Sequence, residues 1–136
     1  MNKSSPRYRY ARRLWSEAVR SLFNHKCFLC GRVETDSRPH AAHHIIPARN
    51  KWSEFDLLNG VPLCSLPDGR SQTCHGKVHD TPEGKTELDA RMAQFPGWAE
   101  ILHSLRNYDR GSFSKSDLED AIEFLENDLS EGSNEG

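Results

Sequence analysis

From Tyr8 to Phe23 the apolar residues recur at helical spacing: Leu14, Ala18, Leu22 and Phe23 form a stripe, with Trp15 and Val19 beside it. This period predicts an amphipathic helix. Ser4, Ser5 and Pro6 supply its start, because the missing N–H of proline costs nothing in a first turn. Between residues 27 and 80 the pattern turns short and irregular. The runs AAHHII (41–46) and GVPLC (60–64) predict two small strands separated by a polar loop, 48–59. After Cys74, the run HGKVHD predicts a short helix weakened by Gly76, and Pro82 and Gly84 then punctuate the chain. Helical spacing returns over 87–95 and 97–105. It appears again where Leu118, Ile122, Leu125 and Leu129 follow at steps of three and four. Ser116 and Glu119 stand at the spacing of a capping box for that last helix. The polar end of the chain, 131–136, is expected to be disordered.

Composition sharpens this outline. A hydrophobic content of 35% and a mean hydropathy of −0.78 are low for a chain held together by apolar burial alone. A further staple is expected, and cysteine and histidine are the obvious suppliers. No apolar run approaches the roughly 18 residues of a membrane span, and the N-terminus lacks the apolar stretch of an export signal. A reducing cytoplasm and no membrane are therefore expected, a setting in which cysteines bind metal more often than they pair as disulfides.

The net charge of −2 hides an asymmetry. Residues 1–79 hold 13 Lys/Arg against 6 Asp/Glu, whereas residues 80–136 hold 5 against 14. The basic front suits a polyanion, and the acidic rear should face away from one. In the cluster RYRYARR each arginine alone reads as a solvated surface charge, but together Arg9, Arg12 and Arg13 are candidates for backbone phosphate contact.

All four cysteines and five of the seven histidines fall within 27–80. Cys27-Phe-Leu-Cys30-Gly31 has the form of a knuckle, two thiols followed by a glycine that lets the chain turn. Cys64 and Cys74 supply a second pair, although nine residues part them where two to four is usual. A structural zinc on four thiolates is the favoured reading. Against it stand a redox pair (which lacks a surrounding βαβ pattern), two disulfides, and cysteines that are merely small buried hydrophobes. His75 and His79, four apart, project from one face of a helix and can share a metal, while the adjacent His43 and His44 point to opposite faces of a strand.

Taken in order, Cys27-x2-Cys30, His43-His44-Ile-Ile-Pro47, Leu58-Asn59, Pro62-Leu63-Cys64, Cys74-His75 and Lys77 resemble the HNH endonuclease family over roughly 27–80. The ending His75-x3-His79 and the paired His43-His44 are similar to its colicin DNase branch. Many members carry Asp where this chain has His43. The resemblance implies a small α+β fold, a ββα-metal (His-Me finger) core with a four-cysteine zinc site, flanked by an N-terminal helix and C-terminal helices. It implies DNA as substrate, His44 as general base, and Asn59 as the residue that orients the base and its loop. His43, His75 and His79 would be ligands of one catalytic divalent cation, Mg²⁺, Mn²⁺, Ni²⁺ or Zn²⁺. A bacterial or phage-infected cell is the implied setting.

The expected organisation is a basic helix over 1–24, a nuclease core over 25–92, an acidic helical extension over 93–130, and the tail. Arg38, Arg49 and Lys77 join the arginine cluster as candidate DNA contacts. His40 is a candidate extension of the site, or simply a loop histidine. Trp15, Trp52 and Trp98 read as packing residues, with base stacking a distant second. The apolar stripe of the last helix packs internally or meets a protein partner or a second copy. The rival class is a zinc-stapled DNA-binding or protein-interaction module without catalysis, which has no reason to carry His44 with Asn59.

Overall fold

The computed structural model describes residues 3, 5–47, 51–65, 73–108 and 111–134. Among them the chain forms α1 (Pro6–Leu22), β1 (Ala41–His44), α2 (Lys51–Glu54), a 3-10 turn (Leu57–Asn59), β2 (Gly60–Leu63), α3 (Cys74–Asp80), α4 (Pro82–Met92), α5 (Trp98–Asn107) and α6 (Lys115–Asn134). It is a small α+β protein of six helices and one two-stranded antiparallel sheet among the described residues. None of the helices is long and apolar enough to cross a membrane.

The Ser5 side chain caps α1 by accepting from the Tyr8 N–H, and Pro6 opens the first turn. The buried face holds Tyr8, Ala11, Leu14, Trp15, Ala18 and Val19, so Trp15 and Val19 belong to the stripe they were expected to flank. Leu22, expected within it, is the last helical residue, is 55% exposed and lies outside the core.

Leu118, Ile122 and Leu125 of α6 close this core against α1 and Phe55. The start of α6 differs from expectation. Its capping box is Ser114 with Asp117: the Ser114 N–H donates to Asp117 Oδ2 at 2.8 Å, and the Asp117 N–H to Ser114 Oγ at 3.2 Å. The helix therefore opens at Lys115, and Glu119 is released to accept from Arg7 Nε at 2.9 Å. Tyr10 donates to Glu126 at 2.7 Å. The acidic helix thus lies on the arginine helix rather than apart from it, because its apolar stripe needs α1 as a partner. It also runs to Asn134, into the stretch expected to be disordered.

A second core joins Cys27, Leu29, Val61, Leu63, Cys64 and Val78 to Leu88 and Met92 of α4. The expected break at Pro82 and Gly84 is instead a helix start. Thr81 ends α3 and caps α4 through its hydroxyl, which accepts from the Gly84 N–H at 3.0 Å. Gly84 is needed for the close approach of the two helices, since a Cβ there would meet the Lys77 carbonyl oxygen at 2.3 Å. Gly84→Ala is expected to destabilise the fold by about 2 kcal/mol, as overpacking against rigid backbone does, read as a lowered urea midpoint at unchanged slope.

The sheet carries the histidines. Its register pairs His43 with Val61 and His44 with Gly60. A Cβ on Gly60 would lie 2.5 Å from the Trp15 ring and 2.9 Å from Val19. Glycine at this position therefore lets α1 press its tryptophan against the strand.

Candidate functional site

Strand alternation sends the two adjacent histidines apart. His43 faces α3, with its ring centroid 5.9 Å from that of His75 and 5.0 Å from that of His79. One imidazole nitrogen from each of the three lies within 4.8 Å of the others. The Nε2 atoms of His75 and His79 are 2.9 Å apart, nearer the roughly 3.0 Å of two nitrogens at right angles around one cation at about 2.1 Å than the roughly 3.4 Å of a tetrahedral pair. The donor set fits a metal of borderline softness.

Burial, with repulsion from His79, His75 and His44, holds His43 down at about 4. Burial and His79 likewise lower His75. Neutral imidazole is the form that binds metal. In the metal-free protein the depressed His43 makes stability fall as the pH is lowered. Between about 6.5 and about 4 the unfolded chain takes up a proton that the folded chain refuses. The loss is complete below the lower value and is capped at about 3 kcal/mol. Urea midpoints in chelator from pH 7 to pH 4 should show this slope, and His43→Ala should make it shallower, the part owed to His44 and His75 remaining.

His44 turns the other way. Its ring stacks on Trp15 at 3.9 Å between centroids and 6° between planes, and its Nε2–H donates to the Glu54 carbonyl at 2.9 Å. That bond leaves Nδ1 as the acceptor nitrogen. Burial lowers the basicity of His44, opposed by the bond to the Glu54 carbonyl and by the Glu54 carboxylate.

Asn59 is fully buried. Its Oδ1 accepts from the Ile46 N–H at 2.7 Å, and its Nδ2 donates to the carbonyls of Ile46 at 3.1 Å and Ser53 at 3.0 Å. It thereby ties the end of β1 to the end of α2, where the carbonyl that receives His44 sits. Glu54, also buried, receives the Tyr8 hydroxyl, which anchors α2 to α1 and raises the Tyr8 pKa through burial and this bond.

The four cysteines are free thiols whose sulfurs lie within 4.8 Å of one another, and Cys30 Sγ is 3.8 Å from Cys64 Sγ. Tetrahedral metal–sulfur bonds of about 2.3 Å place sulfurs about 3.8 Å apart, so the set can hold a metal. Cys30 is exposed and Cys74 half-buried, whereas Cys27 and Cys64 are buried. Burial pushes the Cys64 and Cys74 thiols up, and Cys27, next to them, strengthens the rise. At Cys27 burial also opposes ionisation, but hydrogen bonds from the backbone of Cys30, Cys64 and Leu29 outweigh it and lower the thiol.

Two concavities adjoin His44. One, of about 470 Å³, is lined by His43, His44, His75 and His79 together with Lys85 and Asp89 of α4. The other, of about 350 Å³, is lined by Arg9, Arg12, Arg13, Trp15, Ser16, Ala42 and His44. A larger cavity of about 770 Å³, bounded by residues such as Trp52, Ile101 and Phe124, shares no residue with either.

The remaining candidates separate. Lys77 sits two residues from each of His75 and His79, exposed and outside the histidine cavity. Arg38 lies in an exposed turn bridged to Thr35 and lines neither cavity. Arg49 is outside the described residues. His40 is buried and bonded to the Arg32 carbonyl at 2.7 Å rather than directed at the site. Trp15, read as packing, touches His44 directly. Lys85 went unread because its place on α4 becomes meaningful only once α3 and α4 pack side by side.

The class defined so far is a small α+β protein with one four-cysteine and one three-histidine cluster, each able to hold a metal ion. Compared with protein-family models, with curated proteins and with solved structures, the chain matches none.

Proposed function

We propose that this protein is a metal-dependent endonuclease of the HNH type that hydrolyses DNA phosphodiester bonds. The observation that carries the reading is the split of the adjacent histidines. His43 joins His75 and His79 in a ligand-competent cluster, while His44 lines the same cavity with Nε2 committed to a carbonyl. A base beside a metal, rather than on it, is what activation of a hydrolytic water requires.

In this reading β1, β2 and α3 are the ββα-metal core, and His43, His75 and His79 hold one divalent cation. The bound cation supplies Lewis-acid stabilisation of phosphoryl and leaving-group charge. His44 Nδ1 takes the proton of the attacking water, Asn59 fixes the carbonyl frame that orients His44, and the products carry 5′-phosphate and 3′-hydroxyl ends. Cys27, Cys30, Cys64 and Cys74 hold a structural zinc, since four thiolates leave no open position. Arg9, Arg12 and Arg13 grip the DNA backbone.

Incubating supercoiled plasmid with the protein and Mg²⁺, Mn²⁺, Co²⁺, Ni²⁺ or Zn²⁺ tests this. Nicked or linear DNA in at least one ion, suppressed by chelator and by His79→Ala, is the expected result. Intact plasmid in every ion would leave only a zinc-stapled binding module.

A further inference from the structure

Helix α1 contributes five arginines to the protein surface, and they are not equivalent. Arg7 is paired with Glu119 and Arg20 with Glu34. Among the described residues no carboxylate pairs with Arg9, Arg12 or Arg13, and the Arg13 guanidinium stands over the Tyr10 ring at 5.2 Å. These three unpaired arginines are the ones that line the 350 Å³ cleft. Ala42 and His44 line both this cleft and the histidine cavity, so the two concavities meet at the base.

Unpaired guanidinium groups converging on a concave site suit an anion, and their planar donor forks match phosphate oxygens.

Resting on the hydrolytic reading above, we infer that the arginine cleft holds a second phosphodiester of the substrate strand, next to the one cut in the histidine cavity. The substrate is then a chain of at least two consecutive phosphodiesters, not an isolated diester. The cleft contributes affinity for that neighbouring phosphate through its three guanidinium groups. Trp15 lines it while stacking on His44, so the binding surface and the base share one rigid ring.

The test compares kcat/KM for a thymidine trinucleotide, which has two diesters, with kcat/KM for bis(p-nitrophenyl) phosphate, which has one. Wild type, Arg12→Ala and the Arg9→Ala/Arg12→Ala double variant are assayed in the ion that best supports plasmid cleavage. The preference for the trinucleotide should fall about tenfold for each arginine removed. Arg106→Ala, an exposed arginine on α5, should keep it. Equal losses on both substrates, or a preference unmoved in both arginine variants, would overturn the inference.

Failure of the hydrolytic reading looks different: the wild type leaves both substrates intact in every ion. Titration of the metal-free protein with fluorescein-labelled dodecathymidylate then decides the cleft alone. Binding weakened by Arg12→Ala, with a salt dependence about one unit shallower, supports it. Affinity indifferent to the substitution sinks it.

Discussion

His44→Ala is expected to lower kcat for DNA cleavage about 10²–10⁴-fold, the usual contribution of a positioned base, while KM changes little. The separation of functions across β1 makes the effect specific. The ligand cluster lies on the His43 side, and the arginines of the cleft belong to α1 although Ala42 and His44 also line it, so removing the His44 ring leaves the three clustered histidines and the three arginines in place. The structural costs are the stack on Trp15 and the bond from Nε2 to the Glu54 carbonyl. His44→Gln, which keeps an N–H donor of similar reach for that carbonyl, controls for the lost bond and should be as inactive as the alanine variant if proton transfer is the function lost. Metal binding measured by calorimetry should survive in both variants. The acid limb of the wild-type rate profile should lie below the ordinary imidazole range near 6.5, because burial lowers the His44 pKa and the base then stays neutral further into acid. Cleavage persisting in either variant would remove His44 from the role of base.

How far the chain announces this arrangement depends on the range of the contact. Local rules carried α1, the two strands, α3 and the pairing of His75 with His79, because helical and strand periods turn spacing directly into facing. They failed where two local solutions compete. Ser114 with Asp117 and Ser116 with Glu119 have the same form, and the choice falls to the pair that leaves Glu119 free for Arg7. Pro82 and Gly84 read as breakers in isolation, yet proline opens a helix as readily as it ends one, and Gly84 answers to the Lys77 backbone across the α3–α4 corner.

The partners of His44 were the least legible. Glu54 meets the histidine through its backbone carbonyl, which accepts from His44 Nε2–H, and no residue type signals a carbonyl. Trp15 lies 29 positions from His44 and reaches it only because residue 60 has no side chain. A site assembled from backbone groups and from a missing Cβ leaves little trace in a pattern of residue types.

The second large effect concerns the cysteines. Replacing Cys64 by serine, or stripping the metal, is expected to unfold the segments of the second core, 27–29, 61–64 and 74–92, while α1, α6 and Phe55 hold together longer. The division follows from the two cores. The α1–α6 core, with Tyr8, Trp15, Ile122 and Leu125, contains no cysteine. The other is built around Cys27 and Cys64, and six further buried residues complete it: Leu29, Val61, Leu63, Val78, Leu88 and Met92. So small an apolar cluster stabilises little against the entropy of ordering its segments, whereas a structural thiolate site in small domains contributes about 10 kcal/mol or more to folding. Serine at position 64 also removes the sulfur that accepts the Cys74 N–H at 3.3 Å and so helps seat the start of α3, the helix that bears His75 and His79. The histidine cluster should therefore collapse with the cysteine site although none of its own three residues has changed. Hydrogen exchange with and without a strong chelator resolves the two regions. Fast exchange at Val78 and Leu63, with Ala18 and Ile122 still protected, is the expected pattern. Uniform protection after complete metal removal would mean that apolar packing alone holds the sheet and α3, and that the cysteines are not the staple.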